Sequence, residues 1–276
     1  MSNWNEYAEK YNDITKILLS RFLEQNAERN VVFSPSSIIT LLDILSTSTD
    51  GDTREEIMQF LGAADYEDVS SDIRELADIF SRGKFLFSAN AICTAPYIYN
   101  NINDNYRKLV EEEFKAEVFG IDNMAQVVNE WVTEKTRGMI NHVLDENDRD
   151  IIASFVNAIS FSARWVEPYT EEKIWKEEFT NADGSKVSVE MLHSTEEEYV
   201  EDDYFTGVIK KYQGHKYDYM AFMPKDEKVR NLQSLIDKVN FPKLYRTAKW
   251  ADVKTIMPEF KVQFGVDMGS ICKSAG

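Results

Sequence analysis

The sequence predicts a single α+β domain. Three observations carry that assignment. Helical periodicities and two long apolar strand-like runs follow one another along the chain, and no internal repeat, low-complexity tract or linker divides residues 1–276. The third is composition: 43% hydrophobic and 12% aromatic residues with only 11 Gly and 6 Pro. That is ample for a core and excludes both general disorder and a collagenous chain.

The first helix is read from Tyr7, Tyr11, Ile14 and Leu18, which fall on one face. Asn30-Val-Val-Phe33 follows as a short apolar strand that stops at Ser34. Ser34 suits a helix N-cap and Pro35 the first helical position, where no N–H is needed. The helix they open carries Ile38, Ile39, Leu41, Leu42, Ile44 and Leu45, apolar nearly all round and therefore central. Thr53-Arg-Glu-Glu56 reads as a capping box, with Gly62 closing that helix. Residues 66–82 form another amphipathic stretch through Val69, Ile73, Leu76 and Phe80.

From Lys84 to Tyr99 the texture changes to a long strand, and helices fit 104–114 and 124–137. Ile151–Phe161 is a second apolar strand of the kind buried on both faces. It is expected beside 84–99 in one sheet, with 253–264 in the same sheet across a gap. Val187–Leu192, Val208–Tyr212 and Tyr217–Met223 are further strands, and Leu232, Leu235, Ile236 and Val239 mark a helix. In 253–264, Pro258 demands an edge or a bulge.

Charge narrows the partners. There are 48 acids against 31 bases, formally −17, and such a surface repels phosphate backbones, so nucleic acid is not an expected partner. No apolar run approaches the ~20 residues of a membrane span. The start of the chain is charged and has no apolar core, so no signal peptide is expected. Two cysteines, Cys93 and Cys272, make neither a disulfide framework nor a four-cysteine zinc site.

Catalytic signatures are missing: no GxSxG, GxxxxGK[ST], GxGxxG, HExxH or CxxC occurs. His142, His193 and His215 lie far apart in sequence. Glu196–Asp203 holds six acids in eight residues and reads as a solvated loop, with attraction of a basic partner as the alternative. Between Asp65 and Arg82 two arginines face six acids, so that stretch is no polyanion site.

Eight local phrases appear in turn: Asn30-Val-Val-Phe-Ser-Pro-Ser-Ser37, Gly51-Asp-Thr-Arg-Glu-Glu-Ile57, Asn90-Ala-Ile92, Thr136-Arg-Gly-Met-Ile-Asn141, Val156-Asn-Ala-Ile-Ser-Phe161, Arg164-Trp-Val-Glu-Pro-Tyr169, Phe222-Met-Pro224 and Met257-Pro-Glu-Phe-Lys-Val262. In this order they resemble the serpin family, the suicide-type inhibitors of proteases, from the first helix to Gly276. The resemblance implies helices around a large mixed main sheet with smaller additional sheets. It also implies no enzyme turnover, no cofactor, a serine or cysteine protease as partner, and a monomer when full length. It points to the extracellular space, with the cytoplasm as the alternative because no signal peptide is read here.

By the same resemblance Ser34, Ser37 and Asn157 match the family's shutter, beneath the centre of the main sheet. Trp165 matches the tryptophan of the breach, where the reactive loop first enters. Each also has a plainer reading, Ser34 as a helix cap and Trp165 as a core aromatic. Three positions depart from the family: Asp43 in an otherwise apolar helix, Met139 where lysine is common, and Ser162-Ala163-Arg164 in place of Lys-Gly-Lys. The family continues past the equivalent of Gly276, so the reactive loop, its bond and the shutter histidine are expected to lie outside this sequence. Residues 1–276 alone are then expected to be insoluble or molten. The alternatives are a non-inhibitory binding or chaperone protein, an inactive truncated remnant, or an enzyme whose site assembles in space.

Overall fold

The computed structural model describes residues 4–26, 29–62, 75, 84–145, 151–226, 228–229, 232–262 and 264. In chain order its elements are α1 (Trp4–Gln25), α2 (Pro35–Ser48), α3 (Gly51–Phe60), β1 (Leu86–Thr94), α4 (Pro96–Tyr99), α5 (Asp104–Glu113), β2 (Ala116–Gly120), α6 (Met124–Lys135) and β3 (Ala153–Phe161). Then come β4 (Ile174–Thr180), β5 (Lys186–Glu201), β6 (Phe205–Lys211), β7 (Asp218–Pro224), a 3-10 segment (Leu232–Lys238), α7 (Phe241–Arg246) and β8 (Lys249–Pro258). The chain divides into two units, one of residues 34–162, the other of residues 1–33 with 163–275.

In the 34–162 unit a mixed sheet has the order β2-β1-β3. β1 runs parallel to β2, Asn90 opposite Ala116, and antiparallel to β3, Asn90 opposite Asn157. The expected pairing of the two long strands is therefore present. α6 lays Met124, Val128, Trp131 and Val132 on Ala91, Cys93 and Ala158, with Leu144, Ile151 and Val156 at the margin. Burial pushes the Cys93 thiol up to about 11, with the Glu117 charge adding to it, so this is an unreactive core thiol.

α2 packs on β3. Ser34 caps it as read, accepting from Ser37 N at 3.2 Å. Asp43 is fully buried within it.

Several expectations are corrected in this unit. Residues 30–33 form no strand. The cap of α3 is Asp50, whose side chain accepts from Gly51 N, and not Thr53. Gly62, at φ 63, does end that helix. β1 stops at Thr94 because Pro96 opens a helical turn and can donate nothing to a ladder. β3 is not buried on both faces: it ends the strand order, and Ala153 and Phe161 are exposed. The 66–82 stretch lies outside the described residues apart from Glu75.

In the other unit an antiparallel sheet runs β4-β5-β6-β7, with β8 also on β5. β5, at 16 residues, is its spine. It pairs β4 along 186–192, β8 along 191–199 and β6 along 198–201. α1 meets α7 through polar contacts: Asn240 Nδ2 donates to Glu9 Oε2 at 2.8 Å, and Phe241 N donates to Asn12 Oδ1 at 3.0 Å. Arg246 hydrogen-bonds Glu9 as well and holds its carboxyl below the usual range. Phe205, Val239 and Leu244 form a buried cluster with Met220, Phe222, Leu235 and Phe241 around it.

Three more readings change here. The stretch around 232–239 is a 3-10 segment, not an α-helix. β8 begins at Lys249, ends at Pro258 and pairs with β5, so 253–264 does not join β1 and β3. The acidic run is no loop: Glu196–Glu201 is the second half of β5.

Two predictions follow from this packing. A Cβ on Gly207 would strike the Ala221 carbonyl and stand 2.7 Å from Phe222 Cα on the neighbouring strand. Gly207→Ala should therefore destabilise by about 2–3 kcal/mol, read as a lower melting temperature. Hydrogen bonds from Lys249, then Lys225 and Tyr199, lower the Glu201 carboxyl from 4.5 to about 2. A depressed folded value gives stability that is present above the unfolded value and lost as pH falls toward the folded one. The melting temperatures of the parent and Glu201→Gln should thus differ above pH ~4.5 and converge toward pH ~2.

Candidate functional site

Two groups of side chains were marked by the sequence, one in each unit. In the 34–162 unit the serines at the start of α2 form a hydroxyl cluster. Ser37 Oγ donates to Ser34 Oγ at 3.0 Å, and Ser36 Oγ lies 3.0 Å from Ser34 Oγ. Asn157 stands elsewhere on β3 and reaches across to β1. Its Nδ2 donates to Asn90 Oδ1 at 2.7 Å and to Ser88 Oγ at 3.2 Å. Asn90, itself buried, donates onward to Phe114 O at 2.8 Å. The chain of bonds thus ties β3 to β1 and to the end of α5.

No hydrogen bond joins Ser34 or Ser37 to Asn157 among the described residues. Among the described residues, Asn157 Oδ1 is buried with no partner, as is Ser160 Oγ. A buried acceptor without a donor costs about 1–3 kcal/mol, so these two atoms are the sites of greatest polar debt on β3.

Trp165 lies in the second unit, half-buried, on the segment leading to β4. It bridges Tyr212 in an isolated pair. Its ring stacks on Tyr212 at 4.2 Å and meets Tyr219 edge-on at 5.6 Å. Burial raises the phenols of Tyr169, Tyr212 and Tyr219, so all three are neutral hydroxyls at neutral pH.

Beside Trp165 sits a group that the sequence reading missed. Lys210 is 2% exposed and Glu196 is 7% exposed, and Lys210 Nζ donates to Glu196 Oε1 at 2.6 Å. Ser194 Oγ donates to the same oxygen at 2.5 Å and lies 2.8 Å from Thr255 Oγ1. The ammonium also stands 4.7 Å from the Tyr169 ring and 5.4 Å from the Trp165 ring. Removing one partner of such a pair strands a buried charge, at about 3–5 kcal/mol. The signal was faint but present: period 2 along β6 puts Lys210 on the same face as buried Val208.

Among the described residues, no three or more His, Cys, Asp or Glu side chains are placed to hold a metal ion, and no helix is long and apolar enough to cross a membrane.

Comparison with known proteins gives the context. Serpin-ZX of Arabidopsis thaliana is 26% identical over 275 residues, covering 90% of this chain and 68% of that protein. Neuroserpin of Rattus norvegicus is 23% identical over 275 residues, covering 90% of this chain and 66% of that one. The chain therefore spans about two thirds of the length of these relatives. Among solved structures, native tengpin, a thermophilic serpin, superposes with TM-score 0.87 at 22% identity, covering 98% of this chain and 71% of that one. Native protease nexin-1 with heparin gives TM-score 0.88 at 19% identity, with 99% and 80% covered. Thyroxine-binding globulin in complex with thyroxine gives 0.87 at 22% identity, with 98% and 77% covered. At these identities the structures speak for the fold, α+β with the serpin arrangement. Residues 9–276 match the family model described as Serpin (serine protease inhibitor), and the chain belongs to the serpin family, which includes protease inhibitors and not enzymes.

Proposed function

We propose that the protein inhibits a serine or cysteine protease as a suicide substrate. The protease nucleophile attacks the reactive bond of an exposed loop, the amine leaves, and an acyl-enzyme forms. The loop then inserts as a new strand beside β3 and distorts the captured protease before water completes hydrolysis. The chemistry is the protease's own, so no cofactor enters. The reactive bond is assigned to no residue of this sequence. Ser34, Ser37 and Asn157 are read as the shutter and Trp165 as part of the breach.

The observation that carries this reading is on β3. No strand lies along its outer edge among the described residues, and Asn157 Oδ1 is buried without a donor. A strand added to that edge would pair the backbone, and a donor carried near it would satisfy Oδ1. The second reading is a binding protein without inhibition. It is favoured by the likeness to thyroxine-binding globulin. Small residues before the reactive bond support inhibition; bulky or charged ones support binding alone.

Two experiments test the proposal. The full gene product, mixed with a panel of serine and cysteine proteases, should give a complex that survives boiling in SDS. The complex should not form when the protease nucleophile is blocked. Cleavage without a complex overturns inhibition and favours the binding reading. Asn157→Ala removes the donor to Asn90 Oδ1 and should cost about 1–3 kcal/mol, with more polymer after mild heating. A variant that melts like the parent and stays monomeric would count against the shutter role.

A further inference from the structure

We propose that the Glu196–Lys210 ion pair is an electrostatic latch that holds Trp165, and with it residues 164–166, against β6. The argument begins with strand pairing. β5 and β6 are in register from Glu201 opposite Thr206 to Glu198 opposite Ile209. Beyond Ile209 β6 stays paired with β7, but the partner on its β5 edge changes. Val166 N donates to Lys211 O at 3.0 Å, and Gln213 N donates to Arg164 O at 2.8 Å. The two strands therefore part at Lys210, and residues 164–166 enter the fork as a wedge. The register of β5 against β8 also shifts between Glu196 and Glu198, at the same level.

Lys210 stands in the angle of this fork. Its ammonium is 2.6 Å from Glu196 on the far strand. The two aromatic rings nearest to it, Tyr169 at 4.7 Å and Trp165 at 5.4 Å, both belong to the entering segment. One cation thus contacts the β5 carboxylate, the face of Trp165 in the wedge and the face of Tyr169 just after it. Cation–π attraction depends on a fixed cation, and Glu196 fixes it. Ser194 and Thr255 fix Glu196 in turn.

A cavity of about 300 Å³ opens beside the pair, lined by Val166, Glu167, Glu197 and Lys211 among others. An ammonium that loses its carboxylate therefore has a wet, acidic exit. It would leave through that opening, and both rings would lose their cation together. Stability alone would not require this arrangement, since apolar side chains in the same volume hold strands as well as a buried ion pair does. The pair adds a contact that can be released. Its bearing on loop entry rests on the breach reading of Trp165; the latch itself does not.

The test reads Trp165 directly. Acrylamide quenching is measured in each protein with and without Trp165→Phe, so the difference isolates this tryptophan from Trp4, Trp131, Trp175 and Trp250. Glu196→Gln and Lys210→Met should each raise the Trp165 quenching constant roughly twofold and lower the melting temperature by about 10 °C. Lys210→Arg keeps the charge and should restore most of the protection. Should Glu196→Gln fail to fold, Glu196→Asp retains the charge but shortens its reach, and a smaller rise is expected. Unchanged Trp165 quenching in the folded variants overturns the latch, whether or not the melting temperature falls, because the pair then only bridges β5 and β6. Increased quenching with an altered ratio of inhibitor consumed per protease captured supports both latch and breach. Increased quenching with that ratio unchanged keeps the latch and removes its role in loop entry.

Discussion

A lysine ammonium that is 2% exposed must have its charge met where it lies. Glu196 meets it at 2.6 Å, and much of the 163–275 fold is arranged around that requirement. Glu196 has to reach inward from β5, so the acidic run must lie in a strand there, with β8 on one edge and β6 joining at Glu198. Lys210 has to stand where β5 and β6 part, so residues 164–166 complete the β6 edge beyond it. Other acids of the run meet cations of their own: Glu198 meets Lys211 at 3.1 Å, and Glu201 collects Lys225 and Lys249. One strand thus carries its charges to two environments.

Residues 34–162 obey the same rule with neutral groups. Asn157 and Asn90 face one another across β3 and β1, and each amide nitrogen finds an acceptor. The exception is Asn157 Oδ1, left without a donor on the strand whose outer edge is open among the described residues. The ion pair is satisfied and closed, whereas the asparagine is satisfied on one side only. In a family whose proposed action adds a strand, an incomplete polar group on an open edge is where a change of partners costs least.

Local chemistry was legible in the sequence, and of the long-range pairings only that of β1 with β3 was. Ser34-Pro35 announced the start of α2, and the apolar runs announced β1 and β3, because capping and periodicity are properties of neighbouring residues. β2 escaped notice: five residues acquire a strand conformation only through β1, more than twenty residues away. β4 escaped likewise, its alternation diluted by Lys176, Glu177 and Glu178. Six acids in eight residues argue for solvent until a partner lysine is known. Asn157 and Trp165 were found through family resemblance. Asn90 and the Lys210 contacts emerge only when the strands are brought together.

The buried charges also bear on how far such a chain can diverge while keeping its fold. A core accepts a carboxylate only with its counter-ion, because either alone leaves an uncompensated charge. Glu196 and Lys210 therefore act as one unit, and the effects of altering them separately cannot be summed. Asp43 sits fully buried on α2, where Ser46 Oγ donates to its backbone oxygen at 2.7 Å. Fold and side-chain identity are thus separable here: structures at 19–22% identity superpose on this chain with TM-scores of 0.87–0.88.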